Sequence, residues 1–478
     1  MCFLPCSGIK VKVEFEIVLS QSFCIYFSSC RKSRMSVRIP GPTGVNHLAY
    51  IREFTKRPYD TLLSLTQRYG KIFSFGLAPF RMIYLIGPKA NQLVMTDNGR
   101  NFRWREAYDI LIPIGGEAAL IVSDGEAHMR RRRLIQPAFH KTSIERYFDR
   151  IVNLTNATLD SWYPGQTLDI YQTFRATILS VITESLFGTN LSKNAYALNT
   201  NLDMMLRFIN LWPWLQVHID LPGAPWRRVK EARHSIDHII YSEIKRRRSS
   251  PIRGNDLLTL LTDACGEDGA PLPDVEVRDL VVSLITAGYD TTSAALGWLI
   301  YAMLQDPSIW KRAQAEYRQI VGDHPITFND LSKLTYIDCV VSETLRVYSP
   351  AFLGVRKTGL SFMFDGYRIP GNRMIAYSPY VTHHLPDLWP DPEAFRPERW
   401  DPSVAGYRQP GPYQYVPFGG GSRRCIGESL ALVELKTIAG QILNRTELSI
   451  LPQRITPTGF SAMRPKEGVW VRVHNVRG

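Results

Sequence analysis

The sequence predicts a mainly α protein with small β-sheets, built as one large domain around a long central helix. Three observations carry that reading. From about residue 140 to 320 the apolar residues recur at helical spacing almost without a break. Inside that region DLVVSLITAGYDTTSAALGWLIYAML, from Asp279 to Leu304, is apolar on every side, as a helix buried on every side must be. Short β-rich runs flank the region: KIFSFG and MIYLIG before residue 100, TELSILP and GVWVRV near the end.

The first 34 residues differ in character from the rest. They hold Cys2, Cys6, Cys24 and Cys30, and their apolar run IVLSQSFCIYFSS is shorter than the ~20 residues that span a bilayer. Residues 1–34 therefore read as an atypical N-terminal tail, either a weak anchor or a segment ahead of a true start at Met35. Residues 35–478 read as a single domain, because no repeat or low-complexity linker divides them.

The remaining elements follow in order. GLSFMFDGYRIPG (359–371) predicts a hairpin. Residues 383–416, dense in proline, aspartate and aromatics, predict ordered irregular structure. TELSILP and GVWVRV predict a last pair of strands. The central run is long enough to cross a membrane, but Gly288, Asp290, Thr291 and Thr292 lie at its middle, where a carboxylate in lipid would be costly. A buried helix in a large domain explains it better.

Composition narrows the partners. The formal charge of +13 favours acidic partners, and because the arginines follow no nucleic-acid motif an acidic protein stands level with nucleic acid here; the motifs below decide for the protein and for no nucleic acid. Seven cysteines without a CxxC pair exclude a zinc site of that type, and the odd count argues against a disulfide framework. A reducing compartment follows, hence a cytoplasmic location, with peripheral membrane association as the alternative.

The stretch PFGGGSRRCIGESLALVELK (417–436) concentrates the chemistry. Ile426, Leu430 and Val433 mark an amphipathic helix with Cys425 at its start, where unpaired N–H groups lower a thiol's pKa. Such a cysteine is a nucleophile or a metal ligand. No histidine lies nearby in sequence to serve as the base a nucleophile needs. Gly419, Gly420, Gly421 and Gly427 remove side chains where a flat group must approach the backbone, and Arg423 suits an anionic substituent of that group. An iron macrocycle with carboxylates at its edge, haem, meets these demands.

FGGGSRRCIG fits the F-x-x-G-x-R-x-C-x-G haem-ligand motif of the cytochrome P-450 monooxygenases without a mismatch, and on it the chain resembles that family from about Val37 to Val473. AGYDTT (287–292) resembles the family's oxygen-binding segment. Glu343 and Arg346 in SETLR match its E-x-x-R pair, and Arg399 in FRPERW the arginine that joins them, with Trp400 where phenylalanine is commoner. His128 and Arg132 match the pair that holds haem propionates, and Arg356 the strand arginine of the same role.

The resemblance implies a triangular, helix-rich fold around a buried haem b. Cys425 is then the axial thiolate, which donates electron density to iron. Phe418, Arg423, Gly427, His128, Arg132 and Arg356 contact the cofactor. Asp290 and Thr291 are the catalytic pair that passes protons from solvent, Thr291 ahead of Thr292. Glu343, Arg346 and Arg399 are structural. Arg130, Arg131 and Arg133 are expected on the surface to steer an acidic electron donor, and KRRR (245–248) to be a solvated helix end. Phe102, Trp104, Ile110, Ile112, Phe208, Trp212, Pro213, Trp214, Phe352 and Leu353 are candidate substrate contacts.

The implied function is a monooxygenase that hydroxylates or epoxidises a lipophilic small molecule such as a lipid, terpenoid, steroid or polyketide. Its electrons come from NAD(P)H through a ferredoxin with its reductase or a diflavin reductase, and the protein is a monomer with at most surface contact to a membrane. Two alternatives stand: a same-fold enzyme that uses peroxide or rearranges hydroperoxides, and a haem sensor or carrier.

Overall fold

Helices packed around the buried central run make up most of the molecule. The computed structural model describes residues 38–477 apart from Pro79, Asn98, 212–214, 252–253 and 267–268. The tail 1–34 lies outside the described residues.

The helices run in order α1 (Gly44–Lys56), α2 (Pro58–Tyr69), α3 (Pro88–Gln92), α4 (Ile112–Gly115), α5 (Gly125–Ile135) and α6 (Lys141–Asp160). Then come α7 (Ile170–Phe187), α8 (Thr189–Ser192), α9 (Ala195–Ile209), α10 (Pro225–Ser249), α11 (Leu257–Asp263) and α12 (Asp274–Gln305). The last are α13 (Pro307–Val321), α14 (Thr335–Val347), α15 (Pro379–His383) and α16 (Glu428–Arg445). Several starts are set by aspartate caps: Asp169, Asp256 and Asp306 each accept a backbone N–H from the first turn of α7, α11 and α13.

A five-stranded sheet has the order β1 (Ile72–Phe75), β2 (Met82–Leu85), β8 (Met374–Tyr377), β5 (Gly354–Thr358), β3 (Phe102–Arg103). β6 (Phe362–Phe364) and β7 (Tyr367–Ile369) form the expected hairpin, turned by Asp365 and Gly366, both at positive φ. The closing pair is also found: β9 (Thr446–Ile450) runs antiparallel to β12 (Trp470–Val476), and β4 (Thr167–Asp169) lies on the other side of β12. β10 (Pro457–Thr458) and β11 (Arg464–Pro465) make a small ribbon.

The largest core cluster draws on α6, α7, α9, α10, α12, α14 and α16. α12 lies deepest, and Gly288 is the point where α7 reaches it: a Cβ there would stand 2.9 Å from Ile182 Cδ1. No helix among the described residues is long and apolar enough to cross a membrane.

Two details differ from the sequence reading. α12 begins at Asp274, because the polar residues ahead of the apolar run are paired: Arg278 with Asp237 and Asp279, and Glu276 with Arg130 and Arg131. The KRRR run is solvated only at Lys245 and Arg246. Arg247 donates to Thr259 and to the Phe187 carbonyl, and Arg248 pairs with Asp274 and donates to the carbonyls of Thr262 and Leu272, so both tie α10 to its neighbours.

Candidate active site

The cysteine loop is held by its own backbone. The Gly419 N–H donates to the Val416 carbonyl at 3.1 Å, and the Cys425 N–H returns to the Phe418 carbonyl at 2.9 Å. Gly419 and Gly421 sit at φ +68° and +62°, a conformation that glycine adopts without strain. The glycines also have a neighbour the sequence did not reveal. A Cβ on Gly421 would lie 2.1 Å from the Met95 carbonyl oxygen, and one on Gly420 3.0 Å from the Met95 Sδ. Both therefore serve the packing of the loop on residues 93–97. Gly427 differs, since a Cβ there would stand 4.0 Å from Cys425 Sγ, beside the sulfur.

Cys425 is exposed, whereas Cys339 is buried. Enough protein surrounds Cys425 that burial pushes its thiol above the ordinary value, against the pull of the Gly427 and Glu428 N–H groups. This corrects the expected lowering: the start of α16 does not ionise the sulfur unaided, and a bound cation is what would.

Behind the loop lies a buried ion network. Glu343 and Arg346 are fully buried and share two hydrogen bonds of 2.8 Å. Arg399 Nε donates to Glu343 at 3.2 Å, and Trp400 Nε1 donates to its other oxygen at 2.9 Å, a bond that phenylalanine cannot make. Arg346 reaches on to the carbonyls of His383, Pro392 and Ala394. His383 Nε2 in turn accepts the Val416 N–H at 3.0 Å, which connects the network to the loop two residues before Phe418. Burial holds that imidazole far below its usual range, so it is neutral and able to accept.

The predicted propionate residues converge. Arg423 feels the charges of Arg356 and Arg132, and His128 those of Arg423 and Arg132. Burial lowers Arg423 to about 10, with Asp124 opposing, and lowers His128 to about 4. Asp124, unforeseen from the sequence, accepts from Arg423 Nη2 at 3.1 Å and from the N–H groups of Trp104 and Arg105. Arg356 is 2% exposed, and its Nε is buried with no partner among the described residues. Trp104 packs against both Arg356 and Arg423, with their guanidinium carbons 3.2 and 4.5 Å from its ring centre.

On α12, Ala287 is exposed and Thr291 half-buried, midway along a helix that is mostly buried. The Thr291 hydroxyl donates to the Ala287 carbonyl at 2.7 Å. Asp290 is 3% exposed and points elsewhere: its Oδ2 accepts from Ser461 Oγ at 2.6 Å, and no hydrogen bond joins it to Thr291.

Several expected contacts are spent on packing. Phe102, Phe208 and Phe352 belong to core clusters, Phe352 edge-on to Tyr59 and Phe208 tilted against Trp226. Trp104, Ile110, Ile112 and Leu353 remain half-buried. Trp212, Pro213 and Trp214 lie outside the described residues. Of the arginine run, Arg130 and Arg131 are engaged by Glu276 and only Arg133 is exposed, which narrows the expected donor surface.

Glu434 on α16 was not foreseen. It is 1% exposed, its Oε1 has no partner among the described residues, and burial pushes its carboxyl up to about 8, with the Thr292 hydroxyl pulling the other way. A carboxyl that ionises less readily folded than unfolded contributes most below its ordinary value of 4.5 and loses that contribution as pH rises toward 8. Denaturant unfolding should therefore show Glu434→Gln gaining on the native protein by ~3–4 kcal/mol between about pH 5 and pH 8. Parallel pH curves for the two proteins would refute the buried neutral acid.

These features together fit the site that the sequence implies: an exposed cysteine on a loop fixed by glycine turns, an arginine cluster around one carboxylate, an orphaned buried donor on Arg356, and room beside the sulfur at Gly427. The cytochrome P450 family model matches residues 38–470, and the chain belongs to that family. It is similar to the putative cytochrome P450 139 of Mycobacterium tuberculosis, 40% identical over 420 residues that cover 87% of this chain and 97% of the relative. It is also similar to the cyclooctat-9-en-7-ol 5-monooxygenase of Streptomyces melanosporofaciens, 34% identical over 86% of this chain and 89% of that protein. The solved structure of retinoic acid-bound cyanobacterial CYP120A1 superposes with a TM-score of 0.81 at 26% identity, covering 92% of this chain and 99% of that one. The chain is thus a haem monooxygenase of P450 fold that acts on a lipophilic substrate.

Proposed function

We propose that the chain binds haem b through Cys425 and inserts one atom of dioxygen into a lipophilic small molecule. The observation that carries this reading is the cysteine loop: a sulfur left open on a backbone fixed by glycine turns and by the Glu343–Arg346 network. Bound haem supplies the iron that activates oxygen. Arg356, Arg132 and Arg423 would pair with its carboxylates, and the neutral His128 would add a hydrogen bond beside them. Phe418, whose carbonyl accepts the Cys425 N–H, and Gly427, beside the sulfur, would complete the cradle.

Asp290 and Thr291 carry the proton. Bond by bond they are separate in the resting structure, so delivery requires the Thr291 hydroxyl to turn from the Ala287 carbonyl and Asp290 to reach it through water. Electrons arrive from NAD(P)H through a ferredoxin or diflavin reductase, with exposed Arg133 on the docking side. Monomeric residues 35–478 act as one cytoplasmic domain. Leu215, Val217, Ile219 and Leu221 are all at least half exposed, which supports contact with an apolar surface near the substrate entrance. The ligands named for two similar proteins, cyclooctat-9-en-7-ol and retinoic acid, support a lipophilic substrate and are the first probes to try.

The test is turnover under labelled dioxygen with a surrogate ferredoxin and its reductase, using whichever probe shifts the haem spectrum. The product should carry one labelled atom, and Asp290→Asn should slow its formation on the order of 100-fold. Turnover supported by peroxide alone, with no label from dioxygen, would select the peroxide-using alternative. An undiminished Asp290→Asn rate would remove that residue from the relay.

A further inference from the structure

The carboxylate of Asp290 is tied to the far end of a different helix. Ser461, in the turn between β10 and β11, donates to Asp290 Oδ2 at 2.6 Å. The same Ser461 Oγ accepts from Asn210 Nδ2 at 2.9 Å. Asn210 is the C-cap of α9, and its Oδ1 accepts the N–H groups of Phe460 and Ser461 at 2.6 and 3.1 Å.

The turn itself is anchored independently of α9. Tyr59 donates to the Gly459 carbonyl, Trp298 donates to the Met463 carbonyl, and the Met463 N–H donates to the Pro350 carbonyl. Asn210 is therefore the point at which the end of α9 joins a fixed turn, and Ser461 relays that junction to Asp290.

Asp290 Oδ1 is buried with no donor among the described residues. A second orphaned set faces the same region. Arg175 on α7 is 5% exposed, with Nε and Nη2 unpaired among the described residues, and its Nη1 is held at 3.0 Å by Asp203 of α9. Its guanidinium lies over the ring of Tyr289, next to Asp290 in sequence, and the Tyr289 hydroxyl donates to Asn199, also on α9. The charged and titratable groups around Asp290 are thus Arg175 and Tyr171 on α7, Asp203 on α9, Tyr289 on α12 and Arg464 on β11.

We propose that Ser461 and Asn210 are positioning residues for the proton relay: they couple the orientation of the Asp290 carboxylate to the C-terminal end of α9. While Ser461 holds Oδ2, the carboxylate is kept on the β10–β11 turn and not on the Thr291 hydroxyl, which is bonded to the Ala287 carbonyl. A shift of the α9 end, the segment that leads into 211–224, changes that hold, and by reciprocity the state of Asp290 changes the stability of the α9 end. The catalytic half of this inference rests on Asp290 serving the relay; the coupling half does not.

The coupling half is read by amide hydrogen exchange in the holoenzyme at Asn210 and Leu211, whose N–H groups donate to the carbonyls of Leu206 and Phe208. Ser461→Ala and Asp290→Ala should each speed exchange there on the order of tenfold, as loss of one charge-assisted hydrogen bond allows, while Ser461→Thr, which keeps the hydroxyl, should stay near the native rate. The catalytic half is read by mixing dithionite-reduced holoenzyme with oxygen and following haem re-oxidation in H2O and in D2O. Ser461→Ala should alter both the rate and the solvent isotope effect, and Ser461→Thr should restore them.

Unchanged exchange at Asn210 and Leu211 in both alanine variants overturns the coupling. Altered exchange with an isotope effect that moves for Asp290→Asn but not for Ser461→Ala overturns the positioning role. An isotope effect indifferent to Asp290→Asn counts against the relay reading itself and leaves the exchange result to decide the coupling.

Discussion

Arg346→Leu is expected to lower the stability of the protein by about 3–5 kcal/mol, the usual consequence of removing one partner from a buried ion pair. The guanidinium fills both oxygens of Glu343 and the carbonyls of His383, Pro392 and Ala394, all from a position with no exposed surface. Leucine would leave those carbonyls without donors and Glu343 short of its closest cation. Arg346→Lys should recover little of the loss, because one ammonium on a flexible stem cannot bridge a carboxylate and three carbonyls at once. Urea unfolding of the holoprotein, followed by tryptophan fluorescence, measures it. A midpoint equivalent to within about 1 kcal/mol of the native protein would mean that the network is ornamental.

The same network explains why a stability change at Arg346 reaches the haem. His383, whose carbonyl Arg346 binds, receives the Val416 N–H on its ring, and Val416 accepts the turn that begins the glycine loop. Loss of the arginine should thus be accompanied by faster haem loss, at a temperature where the protein is still folded.

How much of this was legible in the sequence depended on distance along the chain. The cysteine loop and the Glu343–Arg346 pair are local patterns, in which glycine, arginine and cysteine within ten residues already express the backbone turns and the charge they need. Hairpin β6–β7 was readable for the same reason, since Asp365 and Gly366 state their own turn. The links that organise the site are long-range. Asp124 meets Arg423 across 299 residues, and Ser461 meets Asp290 across 171, so no spacing announced either pair.

Residue type also misled where two environments want the same side chain. Phe102, Phe208 and Phe352 were read as pocket lining because they are aromatic and lie in the right segments, but an aromatic ring suits a packed core equally well. A basic run states only its charge: Arg130 and Arg131 are expected on a surface that meets an electron donor and Arg247 and Arg248 at a solvated helix end, yet all four are engaged within the fold. Glu276 lies 145 residues from Arg131 and Asp274 lies 26 from Arg248, far enough in sequence to hide those pairings, whereas Arg247 also pairs with Glu243 one helical turn before it. Cys425 shows the subtler case. A helix start does offer N–H groups to the sulfur, but the surrounding protein raises the thiol more than those groups lower it.

Cys425→His is expected to have the largest effect on function, abolishing monooxygenase turnover. Imidazole can ligate iron, so haem can stay bound, but the electron-rich sulfur that favours O–O cleavage is gone. The Arg356, Arg132 and Arg423 cluster is untouched by this change. Haem content should therefore fall far less than activity, which separates loss of ligand chemistry from loss of the site.

The direct measurement is the absorption spectrum of purified holoprotein, reduced and exposed to carbon monoxide. Ligation by sulfur from position 425 predicts a strongly red-shifted Soret band in the native protein and its replacement by a globin-like band in Cys425→His. A folded, haem-loaded native protein without the shifted band, or a Cys425→His variant that keeps it, would contradict the account.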